Sequence, residues 1–384
     1  MFGIPEAETR AEFKRLLLCI ETTFPQNTRH AGALPADIAG LSRLLTSERP
    51  LRDNGYMGRA QYRAAYLRYF LPWNIFKLCA LFSSPEIKLP PHIDILTDLG
   101  SGLLTVPLAL WLSFPHLRSA PLTVYCVDRN AKALEDGQRL FTAFAKECGE
   151  VCWQIKLVKA DAMHPGIRGK AGLVTAFNVY NEISAGIARG DEDGLRFFAR
   201  KTAAVLSSLV REDGVLIAGE PGIPSAGQFL SSLRGAFLEQ GYRILQPCPH
   251  EKGCPMPGGK KGAKWCHFVL DTDSAPQSLH SLSEKAHLPK RKTTLSFLMA
   301  APKNAAPSVG KNALRILSAP IRFGGDRAGV YACGAKGLAL LYGRDALKLP
   351  FGSLIVCPMP ATPEFDRKTG ALLVPLPRKN RPIT

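Results

Sequence analysis

The middle of the chain alternates short apolar runs with longer segments that have helical spacing of apolar residues. The runs have the length of buried strands, and most are separated by a helix-like segment. This alternation predicts a doubly wound α/β sheet whose strands are mainly parallel. The predicted strands are Ile93–Asp98, Leu122–Asp128, Gln154–Lys159, Leu173–Phe177 and Val215–Gly219.

The first predicted strand runs into a glycine turn, Asp98-Leu-Gly-Ser-Gly, that opens a helix. Gly100 and Gly102 let the backbone approach a ligand closely, and the helix N-terminus offers free N–H groups. Asp128 ends the next strand, where a carboxylate can accept both hydroxyls of a ribose. A dinucleotide site would need a third glycine where this chain has Thr105, so the pattern favours a nucleoside without a pyrophosphate.

The glycine turn and the carboxylates resemble the S-adenosylmethionine site of class I methyltransferases, which have a Rossmann-like sheet. The resemblance implies that the turn wraps the methionine part of the cofactor and that Asp128 holds the ribose. It places the adenine beside Asp161 and the residue after it. The chain departs from the family at Leu104, where many members have a small residue. The implied cofactor-binding residues are Asp98, Gly100, Ser101, Gly102, Asp128, Asp161 and Ala162.

The segment after the fourth strand, Phe177-Asn-Val-Tyr-Asn-Glu-Ile, lies where class I enzymes present the target atom. Methyl transfer requires an aligned nucleophile that loses a proton. Asn178, Asn181 and Glu182 are therefore the catalytic candidates, together with Tyr180. The alternative interpretation is that Asn181 and Glu182 cap the following helix. The Asn-Pro-Pro-Tyr pattern of amino-group methylation is absent.

A loop rich in glycine and proline, Pro247–Phe268, carries Cys248, Cys254 and Cys266. It has few apolar residues with which to form a core, so a metal bound by thiolates is the simplest way to order it. Cys333, between small residues, is the preferred fourth ligand. The alternatives are His250 and His267.

The nature of the metal remains open from the residues alone, since four thiolates suit tetrahedral zinc or an iron–sulfur cluster. No Cys-x-x-Cys pair of the zinc-ribbon kind occurs, and the wide spacings leave room for a cluster. The other cysteines are interpreted as small buried residues of a reducing compartment.

Positive charge is concentrated in the last third of the chain. The formal net charge is +17, and residues 251–384 hold 21 Lys and Arg against 8 Asp and Glu, a balance of +13. Such an excess predicts a polyanionic partner, most readily nucleic acid. No apolar run is long enough to span a bilayer, and no targeting segment is recognised, so a cytoplasmic location is expected, with the mitochondrial matrix as the alternative.

Three regions are expected along the chain. Residues 1–88 have helical spacing, and in them the aromatic run around Pro72 predicts core packing, with nucleic-acid contact by Arg63 and Arg68 as the alternative. Residues 89–302 form the α/β domain with the cysteine loop at 247–268. Residues 314–377 give short strands joined by turns, which predicts a small β-rich C-terminal appendage.

The order of four motifs adds a more specific resemblance. Glu220-Pro-Gly, Pro247-Cys-Pro-His, Gly253-Cys-Pro and Trp265-Cys-His-Phe look like those of the methyltransferase-like small-ribosomal-subunit assembly factors of bacteria and mitochondria. The match covers about residues 60 to 340.

That resemblance implies a factor, monomeric when free, that binds small-subunit rRNA and S-adenosylmethionine. It also implies a [4Fe–4S] cluster held by Cys248, Cys254, Cys266 and Cys333. An rRNA methyltransferase is the favoured activity. An inactive biogenesis factor with zinc in the cysteine site is the alternative.

Overall fold

The N-terminal region is a set of helices packed on the rest of the chain. The structure is a computed structural model that describes residues 2–46, 58–149, 152–187, 190–259, 264–303, 312–324 and 327–376. The region contains α1 (Ala7–Thr23), α2 (Thr28–Leu45), α3 (Ala60–Ala65), a π-helical turn (Tyr66–Phe70) and α4 (Leu71–Phe82). None of the described helices is both long and apolar enough to cross a membrane.

One expectation and one alternative for this region were wrong. The apolar spacing predicts a second helix that starts at Ala36, but the helix begins at Thr28, eight residues earlier, because the Asn27 side chain accepts the His30 N–H at 2.9 Å and caps it. Arg68 is not available to nucleic acid, since it is buried and its guanidinium pairs with Glu21 at 3.1 Å.

The central sheet has the predicted α/β architecture. Its strand order is β3-β2-β1-β4-β5-β8-β6, and β7 pairs with β8. The strands β1 to β5 are parallel, and β8 runs antiparallel between β5 and β6. This is the class I methyltransferase order, with β8 in the place of that fold's reversed strand. The bounds are β1 (Ile95–Leu99), β2 (Leu122–Asp128), β3 (Trp153–Lys159), β4 (Ala171–Phe177), β5 (Val210–Pro221), β6 (Arg243–Gln246), β7 (Phe268–Asp271) and β8 (Lys292–Ala301).

Helices cover both faces of this sheet, as a doubly wound fold requires. Alternate residues of one strand enter different cores: Leu173 packs with α5 and α7, and Val174 packs with α9 and α10. The remaining helices are α5 (Thr105–Ser113), α6 (Pro115–Arg118), α7 (Ala131–Cys148), α8 (Tyr180–Ile183), α9 (Glu192–Leu209), α10 (Pro224–Glu239) and α11 (Gln277–Lys285).

The C-terminal strands form a second sheet with a core of its own. Its order is β13-β9-β11-β12-β14, with β10 paired to β11. Residue 377, the expected end of the region, lies outside the described residues. A strand is present at each of the five places that the apolar runs predict: Leu314–Leu317, Gly329–Cys333, Leu338–Tyr342, Leu354–Cys357 and Ala371–Val374. The bounds are β9 (Ala313–Ile316), β10 (Ile321–Arg322), β11 (Ala328–Gly334), β12 (Gly337–Gly343), β13 (Leu354–Val356) and β14 (Leu372–Pro375).

One buried arginine fastens the second sheet to the first. Arg315 of β9 is 1% exposed, and its Nε donates to the Pro247 carbonyl at 3.0 Å. Its other nitrogens reach Gln246 Oε1 and Glu86 Oε1, both at 2.9 Å. The start of the cysteine loop, the N-terminal region and the second sheet therefore meet at a single guanidinium.

Candidate cofactor pocket and four-cysteine centre

The glycine turn between β1 and α5 needs both of its glycines. Gly100 has φ +70°, and a Cβ there would lie 2.5 Å from Val179 Cβ, so a side chain would clash. Gly102 has φ +50°, and the nearest atom to a Cβ there would be Asp128 Oδ2 at 4.0 Å. A side chain at Gly102 would project into the open space beside that carboxylate, where a ligand can lie.

Asp128 is fixed by backbone donors. Its Oδ2 accepts the Gly102 N–H and its Oδ1 accepts the Asn130 N–H, each at 2.9 Å. An ionised carboxylate has about four acceptor positions, so two remain for a ligand. Burial raises the pKa of Asp128, although both N–H donors act in the opposite direction.

Asp98 lies beneath the turn and is almost inaccessible. Ser101 donates to its Oδ2, and Thr175 Oγ1 donates to its Oδ1 at 2.7 Å. Burial raises the pKa of Asp98 to about 7, against these two hydrogen bonds, which lower it. Asp98 therefore ties β1 to β4 below the pocket and changes charge near neutral pH.

A cavity of about 570 Å³ opens at the carboxyl ends of β1, β2 and β4. Most of the residues implied by the methyltransferase resemblance line it, together with Asn178 and Glu182. Tyr66, from the π-helical turn, also lines it. Burial and then the charges of Glu182 and Asp128 raise the pKa of Tyr66, which places its hydroxyl near both carboxylates. From the sequence, Tyr66 was assigned to the core. A π-helical turn often marks a functional site, but the sequence does not show that this segment forms such a turn.

Two residues discussed from the sequence are turned away from this cavity. Asp161 accepts the Met163 N–H at 2.7 Å and pairs with Arg129, while its neighbours Ala160 and Ala162 line the cavity. Burial alone would raise the pKa of Asp161, but these contacts lower it. Leu104 is fully buried at φ +59° and packs near Gly137 of α7, so its size does not narrow the cavity.

The catalytic candidates are held by Glu220, which the sequence interpretation placed in a family motif without giving it a role. Glu220, fully buried on β5, accepts the Tyr180 N–H at 2.8 Å and so caps α8. The expectation that Asn181 and Glu182 cap the helix was wrong, because both lie inside it and no local side chain caps it. A helix cap is normally sought within a few residues of the helix start, whereas Glu220 is 40 residues away from Tyr180 in the sequence.

The three polar candidates differ in their access to the cavity. Asn178 has φ +57° and, with Glu182, lines the cavity. Asn181 is 8% exposed and is not part of the lining. Glu220, which caps the helix that carries Asn181 and Glu182, has its pKa raised by burial to about 8, so its carboxyl changes charge near pH 8.

The four predicted cysteine ligands lie in one electrostatic environment. Burial and then the charges of Cys248, Cys254 and Cys333 raise the pKa of Cys266. Burial likewise raises the pKa of Cys333, and Cys248 and Cys254 add to it. Among the described residues, no group of three or more His, Cys, Asp or Glu side chains is already arranged as a metal site. The thiols are thus neighbours in the fold.

Two buried cations face this group of thiols. Arg234 of α10 is 4% exposed, donates to the His250 carbonyl at 2.6 Å, and has no hydrogen-bond partner for its Nε among the described residues. Burial raises the pKa of Cys248 and of Cys333, and the charges of Arg234 and Arg315 act in the opposite direction. A buried cation with an unpaired donor is unfavourable unless negative charge lies nearby.

The two histidines considered as ligands have other contacts. His250 Nε2 lies 3.2 Å from Cys333 Sγ, while its Nδ1 accepts the Lys252 N–H at 3.1 Å. In the neutral ring the proton then sits on Nε2 and is donated to the sulfur. Burial lowers the pKa of His250 to about 4. His267 stacks on Trp265 with ring centroids 5.0 Å apart.

Comparison with solved structures finds methyltransferases at low similarity. A precorrin-6y C5,15-methyltransferase from Geobacter metallireducens matches 59% of this chain and 88% of its own at 12% identity, with a TM-score of 0.34. An S-adenosylmethionine-dependent methyltransferase from Clostridium acetobutylicum matches 60% and 89% at 11% identity, with a TM-score of 0.31. The fold assignment rests on the strand order and not on these scores.

Sequence comparison gives a more specific relation for part of the chain. No curated protein sequence matches it. A family model described as mitochondrial small ribosomal subunit Rsm22 matches residues 198–339, which is less than half of the chain. The matched segment includes the cysteine loop and Cys333.

Proposed function

We propose that the chain is an assembly factor that binds small-subunit rRNA, holds S-adenosylmethionine in its cavity and carries a structural [4Fe–4S] cluster. The observation that carries the proposal is the family match over residues 198–339, whose printed description names the mitochondrial small ribosomal subunit. The balance of +13 over residues 251–384 supports a polyanionic partner. The same description favours the mitochondrial matrix over the cytoplasm.

The cavity supports a nucleoside cofactor. Asp128 has two hydrogen-bond acceptor positions left for the hydroxyls of a ribose. The open space at Gly102 allows a ligand to lie against the backbone. The cavity volume of about 570 Å³ lies within the range of cofactor sites. Bound S-adenosylmethionine would supply an activated methyl group. The chain's own part is to position the cofactor and the target and to exclude water.

Turnover depends on the α8 segment. Asn178 and Glu182 line the cavity, so Asn178 could orient a target amine or hydroxyl and the Glu182 carboxylate could take its proton. The alternative is a cofactor-binding factor without turnover. The burial of Asn181 outside the lining favours that alternative, because it leaves fewer polar groups for the target.

The four cysteines fit a thiolate-bound metal centre by their chemistry. Four thiolates repel one another, and the Nε of Arg234 has no hydrogen-bond partner among the described residues. Both features favour a centre with metal cations between the sulfur atoms and a net negative charge beside the arginine. We assign the ligands to Cys248, Cys254, Cys266 and Cys333, with His250 donating a hydrogen bond to the Cys333 sulfur. The cluster would brace the loop against the second sheet, and zinc in the same site is the alternative.

The partner is tested by crosslinking the tagged full-length chain to RNA in cells and sequencing what is recovered. We expect enrichment of small-subunit rRNA over large-subunit rRNA, and equal recovery of both would contradict the proposal. Mapping rRNA methylation in cells with and without the chain decides between turnover and binding alone. A lost methyl mark that Glu182→Gln fails to restore, although the variant still crosslinks, supports the enzyme.

A further inference from the structure

The outer face of the second sheet carries exposed aromatic side chains. Along β11, Val330 and Ala332 point into the core, so Gly329, Tyr331 and Cys333 point outward. Across β12 these three pair with Tyr342, Leu340 and Leu338 respectively. Paired residues share a face, so Cys333, Tyr331 and Gly329 lie on one face, which is buried at the Cys333 end, half-buried at Tyr331 and exposed at Tyr342.

The open end of this surface is built around Gly329. Gly329 pairs with Ile321 on one side and Tyr342 on the other, and the ring of Phe323 lies over it, 2.7 Å from where a Cβ would be. Ile321 is 41% exposed, Phe323 is 45% exposed and Tyr342 is 39% exposed. Large apolar side chains this exposed and this close together indicate a binding surface.

The surface is continuous with the cysteine centre and with positive charge. The Lys264 ammonium lies 4.3 Å from the Tyr331 ring centroid. Lys264 is two residues before Cys266, and Tyr331 is two residues before Cys333, so this contact sits beside two cysteines of the centre. Arg327 precedes β11 and is exposed, and the region as a whole belongs to the segment with a balance of +13.

We propose that this face, defined by Phe323, Tyr331 and Tyr342, binds single-stranded RNA by stacking unpaired bases on its rings. Aromatic rings interleaved with cations on a sheet face suit single-stranded nucleic acid, because every base offers a π-face and the cations meet the phosphates. The proposal rests on the proposed function, since it assumes that RNA is the partner. It adds that the RNA is unpaired where it meets the second sheet.

The test uses the full-length chain and fluorescence anisotropy with a single-stranded oligoribonucleotide of about 12 nucleotides and a duplex of equal length. Phe323→Ala and Tyr342→Ala remove no charge. Each should weaken single-strand binding by roughly 5-fold or more and leave the dependence on salt unchanged. Duplex affinity should stay within about 2-fold, because paired bases cannot stack on the rings.

Phe365→Ala is the matched control. Phe365 is 59% exposed in the same region but pairs with Leu372, a residue of the inner core, and so lies off the outer face. It should leave binding unchanged, and Tyr342→Phe should keep the affinity of the parent. Normal single-strand binding by both alanine variants would overturn the inference alone and would indicate a protein partner for this face. Absence of RNA binding by the parent would overturn the proposed function and this inference together.

Discussion

The proposed cofactor pocket and the proposed cysteine centre are built in opposite ways. The pocket draws most of its residues from one stretch of the chain, 98–183, and its two aspartates already have partners: Asp128 has two backbone donors, and Asp98 has two hydroxyl donors. The centre joins the loop after β6 to β11 of another sheet. Its thiols raise one another's pKa, and a cation beside them has an unpaired donor.

This difference indicates which part of the molecule depends on a bound group. A pocket whose aspartates are hydrogen-bonded to the fold keeps its shape without a ligand, because the strands that carry it are held by the sheet. A group of buried thiolates is stable only when cations compensate for their charge. We therefore expect loss of cofactor to leave the fold intact and loss of metal to loosen the second sheet.

The largest expected effect is that of Cys266→Ser. Removing one ligand should cost the second sheet on the order of 5 kcal/mol, because metal-binding free energy is also folding free energy. Limited proteolysis of protein purified without oxygen should show faster cleavage in β11 and β12 than in β1 to β5. Cys152→Ser is the control, since Cys152 lies far along the chain from the centre and should change nothing. Equal cleavage rates in Cys266→Ser and Cys152→Ser would show that the second sheet does not depend on the metal, which would contradict the contrast between the pocket and the cysteine centre.

A more gradual effect should arise from pH at two buried carboxyls, Asp98 beneath the pocket and Glu220 at the start of α8. The pKa values of Asp98 and Glu220 are raised from 3.8 and 4.5 to about 7 and about 8. Both groups bind a proton more tightly in the folded chain, so their contribution to stability is full below about pH 4 and is lost as the pH rises through 7 and 8. Each lowers the free energy of unfolding by up to about 1.4 kcal/mol per pH unit inside its window.

Urea midpoints across that range check this prediction. Asp98→Asn should flatten the slope, whatever it does to stability at a single pH. A parent midpoint that rises between pH 5 and pH 8 would mean that these carboxyls are ionised in the folded chain.

Arg315→Met should loosen the attachment of the second sheet without touching a cysteine. The change leaves Glu86 and the Pro247 carbonyl without their buried partner, at a cost of about 3 kcal/mol. The loosening is measured as faster amide hydrogen exchange in β9. Arg211→Met is the control, because Arg211 pairs with Asp94 near the surface and such pairs contribute at most about 1 kcal/mol.

Asp128→Asn should weaken S-adenosylmethionine binding about 100-fold, since two charge-assisted hydrogen bonds to the ribose become weaker. Calorimetry measures the affinity, and circular dichroism should show an unchanged fold. Asp161→Asn should change the affinity by less than about 3-fold, because that side chain is occupied by Arg129 and Met163. A larger loss in Asp161→Asn than in Asp128→Asn would reverse the assignment of the ribose position.

The sequence predicted the sheet well because its strands are continuous apolar runs, whose burial does not depend on distant contacts. The strands expected at Leu122–Asp128 and Leu173–Phe177 are present, the second as part of Ala171–Phe177. β7 was missed, since four residues after a polar loop become a strand only by pairing with β8. The roles of Glu220, Arg234 and Arg315 also could not be read from local patterns, because each acts on groups far away in sequence.

The most direct test is the iron and acid-labile sulfide content of the full-length chain purified without oxygen, compared with that of Cys333→Ser. The account predicts about four iron atoms and matching sulfide per chain in the parent, with loss of both in Cys333→Ser. One zinc ion per chain in a colourless parent would contradict the cluster. Unchanged iron in Cys333→Ser would contradict the claim that the centre joins the two sheets.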